Sequence, residues 1–218
     1  MSETLTHIGL IGDIHAEHER LERALDTLEA RGVERLLATG DVADGEGSVN
    51  RCCELLAARG VLAVRGNHDR WLLAGELRDL PAATSPQAVD EAARRWLETL
   101  PPTREFATAK GSLLLCHGLG ANDMAKLNPD DEGYAVAFND DLQMLLQSRT
   151  HRWVVNGHSH QHMVRHFPGV SIINAGTLKP GPAPGFFELD FEAGIIWRFE
   201  LDGAGAVRSP PEPIPLFP

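Results

Sequence analysis

Five histidines of this chain, His15, His68, His117, His158 and His160, sit in short turns rich in glycine, aspartate and asparagine. The turns read Gly12-Asp13-Ile14-His15, Gly40-Asp41-Val42-Ala43-Asp44, Arg65-Gly66-Asn67-His68-Asp69, Cys116-His117-Gly118 and Gly157-His158-Ser159-His160-Gln161-His162. In extended backbone, positions two apart share a side, so Asp13 with His15, and His158 with His160, can converge on one ion. Asp41 and Asp44 add carboxylates, and Asn67 adds an amide oxygen next to His68. Taken singly, each block has a plainer reading as a helix cap, a turn with solvated carboxylates or a packed histidine. Together they offer oxygen and imidazole donors from five separate places, which points to metal-assisted chemistry. A donor set without thiolate suits Mn, Fe, Co, Ni or Zn and does not choose among them.

The elements that must position these turns follow from hydrophobic spacing. Residues 7–12 alternate as a strand, and residues 17–31 repeat Leu21, Leu25 and Leu28 at helical spacing. The step recurs with a strand over 35–39, a helix over 48–59 that turns Cys52, Leu55 and Leu56 inward, and a strand over 61–64. Such alternation predicts a largely parallel sheet with crossover helices. Helices are then expected over 71–80 and 86–100, bounded by Pro81, Pro86 and Pro101-Pro102. The second half reads as strands over 105–109 and 112–116, joined as a hairpin at Lys110-Gly111, and over 153–156, 170–174, 186–190 and 195–199. One helix over 135–148 interrupts them. Every reactive turn thus follows an apolar strand, the end at which open α/β sheets place their ligands.

The ordered set Asp13-x-His15, Gly40-Asp41-x-x-Asp44, Gly66-Asn67-His68-Asp69, His117 and Gly157-His158-x-His160 resembles the calcineurin-like metallophosphoesterases, and it spans residues 8–160. The resemblance implies a four-layer α/β/β/α sandwich with mixed sheets. It also implies that Asp13, His15 and His160 hold one divalent ion, that Asn67, His117 and His158 hold another, and that Asp41 bridges them. His68 would act on the leaving-group oxygen, with Asp44 orienting its ring. Two such ions about 3.5 to 4 Å apart can share a hydroxide that attacks a phosphoryl group in line. The expected function is therefore hydrolysis of a phosphodiester by a metal-bridging hydroxide. A phosphomonoesterase and a bis-nucleoside polyphosphate hydrolase fit the same site. A metal-binding protein-interaction scaffold is the alternative from another class, because a retromer subunit resembling the small bacterial phosphodiesterases uses this fold for protein binding. Loss of the catalytic histidine would mark that alternative, and here His68 is present.

Departures from the family's branches narrow the reading. Position 45 is Gly where the protein Ser/Thr phosphatases have an Arg that grips phosphate. Position 44 is Asp where purple acid phosphatases have a tyrosine ligand, and the sole tyrosine is Tyr134. Residues Asn174-Ala175-Gly176-Thr177 look like the Asn-x-Gly-Ser/Thr turn of small bacterial phosphodiesterases, readable as a substrate contact or as a tight turn needing Gly176.

With 218 residues and 43% hydrophobic content the chain is expected to fold as one domain over 1–205, followed by a proline-rich tail over 206–218. A net charge of -11 argues against a general surface for duplex nucleic acid. Two divalent ions with two carboxylates and a hydroxide would still leave one net positive charge where a small phosphoester docks. No apolar run is long enough for a membrane span and residues 1–6 lack signal-peptide character, so a cytoplasmic protein is expected. Three cysteines, Cys52, Cys53 and Cys116, without paired spacing are expected to stay reduced. No feature identifies a protein partner.

Overall fold

A computed structural model describes residues 4–76, 79–80 and 82–217. The first half runs β1 (Thr4–Leu5), β2 (His7–Ile11), α1 (His18–Ala30), β3 (Arg35–Ala38), α2 (Val49–Ala58), β4 (Leu62–Ala63), α3 (Asn67–Leu73), a 3-10 turn (Pro86–Ala88) and α4 (Glu91–Glu98). The second half runs β5 (Thr103–Thr108), β6 (Gly111–Cys116), α5 (Tyr134–Ala137), α6 (Asp140–Ser148), β7 (Trp153–Asn156), β8 (His162–Phe167), β9 (Val170–Ala175), β10 (Gly185–Asp190), β11 (Ile195–Glu200) and β12 (Glu212–Pro215).

The strands form two mixed six-stranded sheets, ordered β1-β5-β6-β7-β9-β8 and β12-β11-β10-β2-β3-β4. Within the second sheet β2, β3 and β4 are parallel, as are β6 and β7 in the first. Side-chain alternation builds the layers, because successive residues of a strand face opposite sides. Ile8 and Leu10 of β2, Leu113 and Leu115 of β6, Trp153 and Val155 of β7, and Phe187 and Leu189 of β10 fill the space between the sheets. Ile11 and Phe186 face the other way, onto Leu21, Leu25 and Leu28 of α1 and Cys52, Leu55 and Leu56 of α2. On the far side, Leu114, Cys116 and Val154 meet Leu142 of α6. The result is helix, sheet, sheet, helix, the expected four layers with mixed sheets. At Gly9 of β2 a Cβ would come within 2.7 Å of Leu28, so the missing side chain lets α1 lie close.

Several elements differ from the sequence expectation for local reasons. The helix expected over 71–80 begins earlier, at Asn67, because Asp69 reaches back to the Gly66 N–H at 3.0 Å and closes the first turn. It ends at Leu73, and residues 77 and 78 lie outside the described residues. The helix expected over 86–100 is the short 3-10 turn followed by α4, which starts afresh where Asp90 accepts the Ala93 N–H. The 135–148 helix is two pieces, and Asn139 caps the second by accepting the Leu142 N–H. Strand β8 escapes the pattern because its polar residues hide the alternation; it pairs antiparallel with β9. Residues 212–215 pair with β11 at the sheet edge, where prolines are tolerated, and Leu216 is fully buried. All three cysteines are buried and free.

Candidate metal centre

The reactive turns gather at one end of the sandwich, each following the carboxyl end of a parallel strand. Asp13 and His15 follow β2, Asp41 and Asp44 follow β3, and Asn67 and His68 open α3 just after β4. His117 follows β6, and His158 and His160 follow β7. To turn back toward a common point the chain adopts left-handed backbone at His15, Asp41, Asp44, His158 and His160, with φ of 48°, 48°, 66°, 65° and 58°. Side chains other than glycine rarely take this conformation, and each instance costs on the order of 1 kcal/mol or more unless the surroundings enforce it. Glycines make room for the approach. A Cβ on Gly66 would strike the Asp41 carboxylate, and one on Gly157 would strike that of Asp13.

Donor atoms of Asp13, His15, Asp41 and His160 lie within 4.8 Å of one another, as do those of Asp41, His117 and His158. Asp41 thus belongs to both groups. The Asn67 amide oxygen joins the second, 2.8 Å from His117 Nε2. Asp13, His15, Asp41, Asn67 and His117 are buried, whereas His158 and His160 are partly open.

The outer contacts fix which atoms face inward. His15 Nδ1 sits 2.9 Å from the Asp44 carbonyl, and His117 Nδ1 sits 2.8 Å from the Thr39 carbonyl. Each ring therefore gives its Nδ1–H to the backbone and turns Nε2 toward the centre, the orientation usual for a metal-binding imidazole. His15 Nε2 and His160 Nε2 stand 2.9 Å apart, with Asp13 Oδ2 3.2 Å from the latter. Donors converging this closely either share a proton or surround a cation. The donor set therefore fits divalent metal.

Electrostatics agrees. Burial disfavours a charged His117, yet the Asp41 carboxylate at 3.2 Å and the nearby Asp13 push the imidazole up to about 10. Burial likewise opposes the charge of Asp41, but the surrounding imidazoles, His117 first, hold it well below the usual carboxylate range. For His15 burial prevails and lowers the value, and His158 is lowered by burial and by the charge of His117.

Beside the donors stands a separate pair. His68 Nδ1 lies 2.6 Å from Asp44 Oδ2, and its Nε2 faces the centre, 3.9 Å from Asp41 Oδ2. Burial raises the Asp44 carboxyl, but the hydrogen bonds from His68 and the Thr84 N–H bring it below its ordinary value. Trp71 sets its ring edge against His68, with centroids 5.0 Å apart.

Further residues support the donors, and of these Thr39, Asp69 and Thr84 were given no role by the sequence. Thr39 donates its hydroxyl to Asp13 Oδ1 at 3.1 Å. Asp69 accepts the Val42, Ala43 and Gly66 N–H groups and so ties the second turn to the third. Its position beside Asn67-His68 was the available signal. Thr84 exchanges two hydrogen bonds with Asp44, and nothing in its surroundings foretells that. Asn174 accepts the Gly176 N–H and donates to the Gly157 carbonyl, while Thr177 donates to the Asp13 carbonyl. Of the two readings of that segment, the tight turn describes its contacts, and it buttresses Asp13 from behind.

Comparison with known proteins places the chain in a family. The calcineurin-like phosphoesterase superfamily domain matches residues 7–193. Over 72 residues the chain is 35% identical to an uncharacterised protein of Methanocaldococcus jannaschii, a match covering 33% of this chain and 30% of that protein. The fold is similar to that of a metallophosphoesterase from Sphaerobacter thermophilus, with TM-score 0.67 and 19% identity over 91% of this chain and 89% of the other. A hypothetical protein from Pyrococcus horikoshii OT3 gives TM-score 0.73 at 14% identity over 90% and 88%. At these identities the structural likeness is one of fold. Among the described residues no helix is long and apolar enough to cross a membrane.

Proposed function

Because this chain belongs to the calcineurin-like phosphoesterase superfamily, we propose that it is a metal-dependent phosphoester hydrolase whose substrate is a phosphodiester. The observation that carries the reading is the sharing of Asp41 between two donor groups, with the His68–Asp44 pair at their edge. Asp13, His15, Asp41 and His160 would hold one ion, and Asp41, Asn67, His117 and His158 the second. When bound, the two ions supply Lewis-acid polarisation of the phosphoryl oxygens and an activated water.

The chain's own residues do the rest. Asp44 accepts the Nδ1–H of His68 and fixes the ring, so that Nε2 can hand a proton to the departing oxygen. Asp44 is itself held by Thr84, which keeps the pair from swinging into solvent. The preference for a diester rests on charge. A monoester dianion brings one more negative charge than a diester, and position 45 offers a glycine in place of a guanidinium to receive it.

The test is hydrolysis of bis(p-nitrophenyl) phosphate beside p-nitrophenyl phosphate by protein stripped of metal and reloaded with Mn2+. The diester should be preferred. His68→Ala should keep its metal and lose about 10²- to 10⁴-fold in kcat, and Asp41→Asn should lose metal and activity together. Absence of metal-dependent turnover of either compound would overturn the proposal.

A further inference from the structure

A cavity of about 380 Å3 opens beside the metal centre. Its inner end is made by His15, Asp44, His68 and His160. Asn67, His117 and His158 take no part in it. The cavity therefore lies on the side of the proton donor, and the oxygen that leaves a phosphodiester must carry its substituent there. Its lining also includes the apolar Leu80, Ala82 and Pro180 and the charged Glu17, Glu46 and Lys179. This volume lies within the range of small-molecule sites, and an apolar wall with a few polar groups is how such sites recognise a ring.

We infer that this cavity is the leaving-group subsite and that it takes an uncharged alcohol with an apolar face and hydroxyl donors, the chemistry of a nucleoside and not of a nucleotide. The inference rests on the hydrolase reading above. Carboxylates accept from hydroxyls and repel phosphate. Beyond the imidazoles of His15, His68 and His160, a second phosphate would meet among the described lining residues one ammonium, Lys179, against the carboxylates of Glu46 and of Glu17, the latter paired with Arg20 at 3.5 Å. No guanidinium lines the cavity to grip phosphate with a fork, again among the described residues. The same wall separates two of the chemistries open to this centre, because hydrolysis of a bis-nucleoside polyphosphate releases a leaving group that is itself a phosphate.

Two methyl aryl phosphates test the inference. They are methyl p-nitrophenyl phosphate and methyl 3-carboxy-4-nitrophenyl phosphate, which differ in a carboxylate on the leaving phenol. For the Mn2+-loaded protein, kcat/KM should favour the neutral phenol by roughly tenfold at low salt. Glu46→Lys should bring the two within about threefold, and Glu46→Gln should fall between. Equal or faster cleavage of the carboxylated ester by the unaltered protein, or a ratio that neither variant moves, would overturn the subsite while the hydrolase reading stands. Turnover of neither ester would remove both. Binding gives an independent readout in the metal-free protein, where millimolar adenosine should shift the methyl resonances of Leu80 and Ala82. Shifts confined to other residues would also overturn the subsite.

Discussion

The pairing of His68 with Asp44 came from the family resemblance and not from their turns, each of which has a plainer reading by itself, and the two side chains do meet at 2.6 Å. The residue that holds Asp44 was not legible, since Thr84 comes from a segment with no periodicity and meets Asp44 only in three dimensions. Its hydroxyl accepts the Asp44 N–H at 2.9 Å, while its own N–H donates to the carboxylate at 2.7 Å. Thr84→Val removes the first bond and keeps the second. It should lower kcat about fivefold with KM little changed, and Thr84→Ser should restore the rate; steady-state kinetics on a diester decides this. His162, which matches no motif position, carries a different consequence. Its Nε2 is buried without a hydrogen-bond partner among the described residues, and its ring stacks on Phe187. Burial, aided by the charge of Arg198, pushes its value down to about 4. An unfolded chain takes up that proton near the ordinary value of about 6.5, so between these limits the unfolded state binds more protons and stability falls as pH falls. The full loss is at most about 3 kcal/mol, complete near pH 4. His162→Phe should flatten urea midpoints across this window, and an unchanged slope would refute the assignment.

Elements were legible wherever both faces of a strand are buried or one face of a helix is. Residues 7–12, 35–39 and 153–156 read as strands and Leu21, Leu25 and Leu28 as a helix face, and the structure bears these out. Boundaries set by single side-chain caps were not legible. Asp69 is the sharpest case, because its carboxylate both starts α3 and anchors the turn after β3. Burial, and then the charge of Asp41, push this carboxyl up to about 6. A side chain kept there at that cost must be needed for the three N–H groups it accepts. Asp69→Ala leaves them buried without an acceptor, so it should cost about 3 kcal/mol or more in denaturant unfolding. Metal affinity should fall with it, since Asp41 and Asn67 lose their common tether; titration calorimetry would show whether it does. Unchanged affinity alongside reduced stability would confine Asp69 to folding.

At the scale of the molecule, the donors are divided between the sheets. Asp13, His15, Asp41 and Asn67 come from the sheet of β2, β3 and β4, whereas His117, His158 and His160 come from that of β6 and β7. Bound metal would therefore fasten the two halves of the sandwich to each other. Each site filled at a hundred times its dissociation constant should raise the melting temperature by about 5–10 °C, measured by calorimetry with and without Mn2+. Asp41→Asn should abolish most of the rise, because it touches both groups, and a full rise in that variant would argue against a shared ligand. The order of strands has a further consequence during synthesis. In its sheet β2 lies between β3 and β10, and β10 is made long after it. A nascent chain emerging from the ribosome therefore carries β2, β3, β4 and four of the donors while one edge of β2 is bare and His117, His158 and His160 do not yet exist. Neither donor group can be complete at that stage, so metal insertion must come late in the life of the newborn chain, and an open strand edge must be shielded from neighbours until β10 arrives.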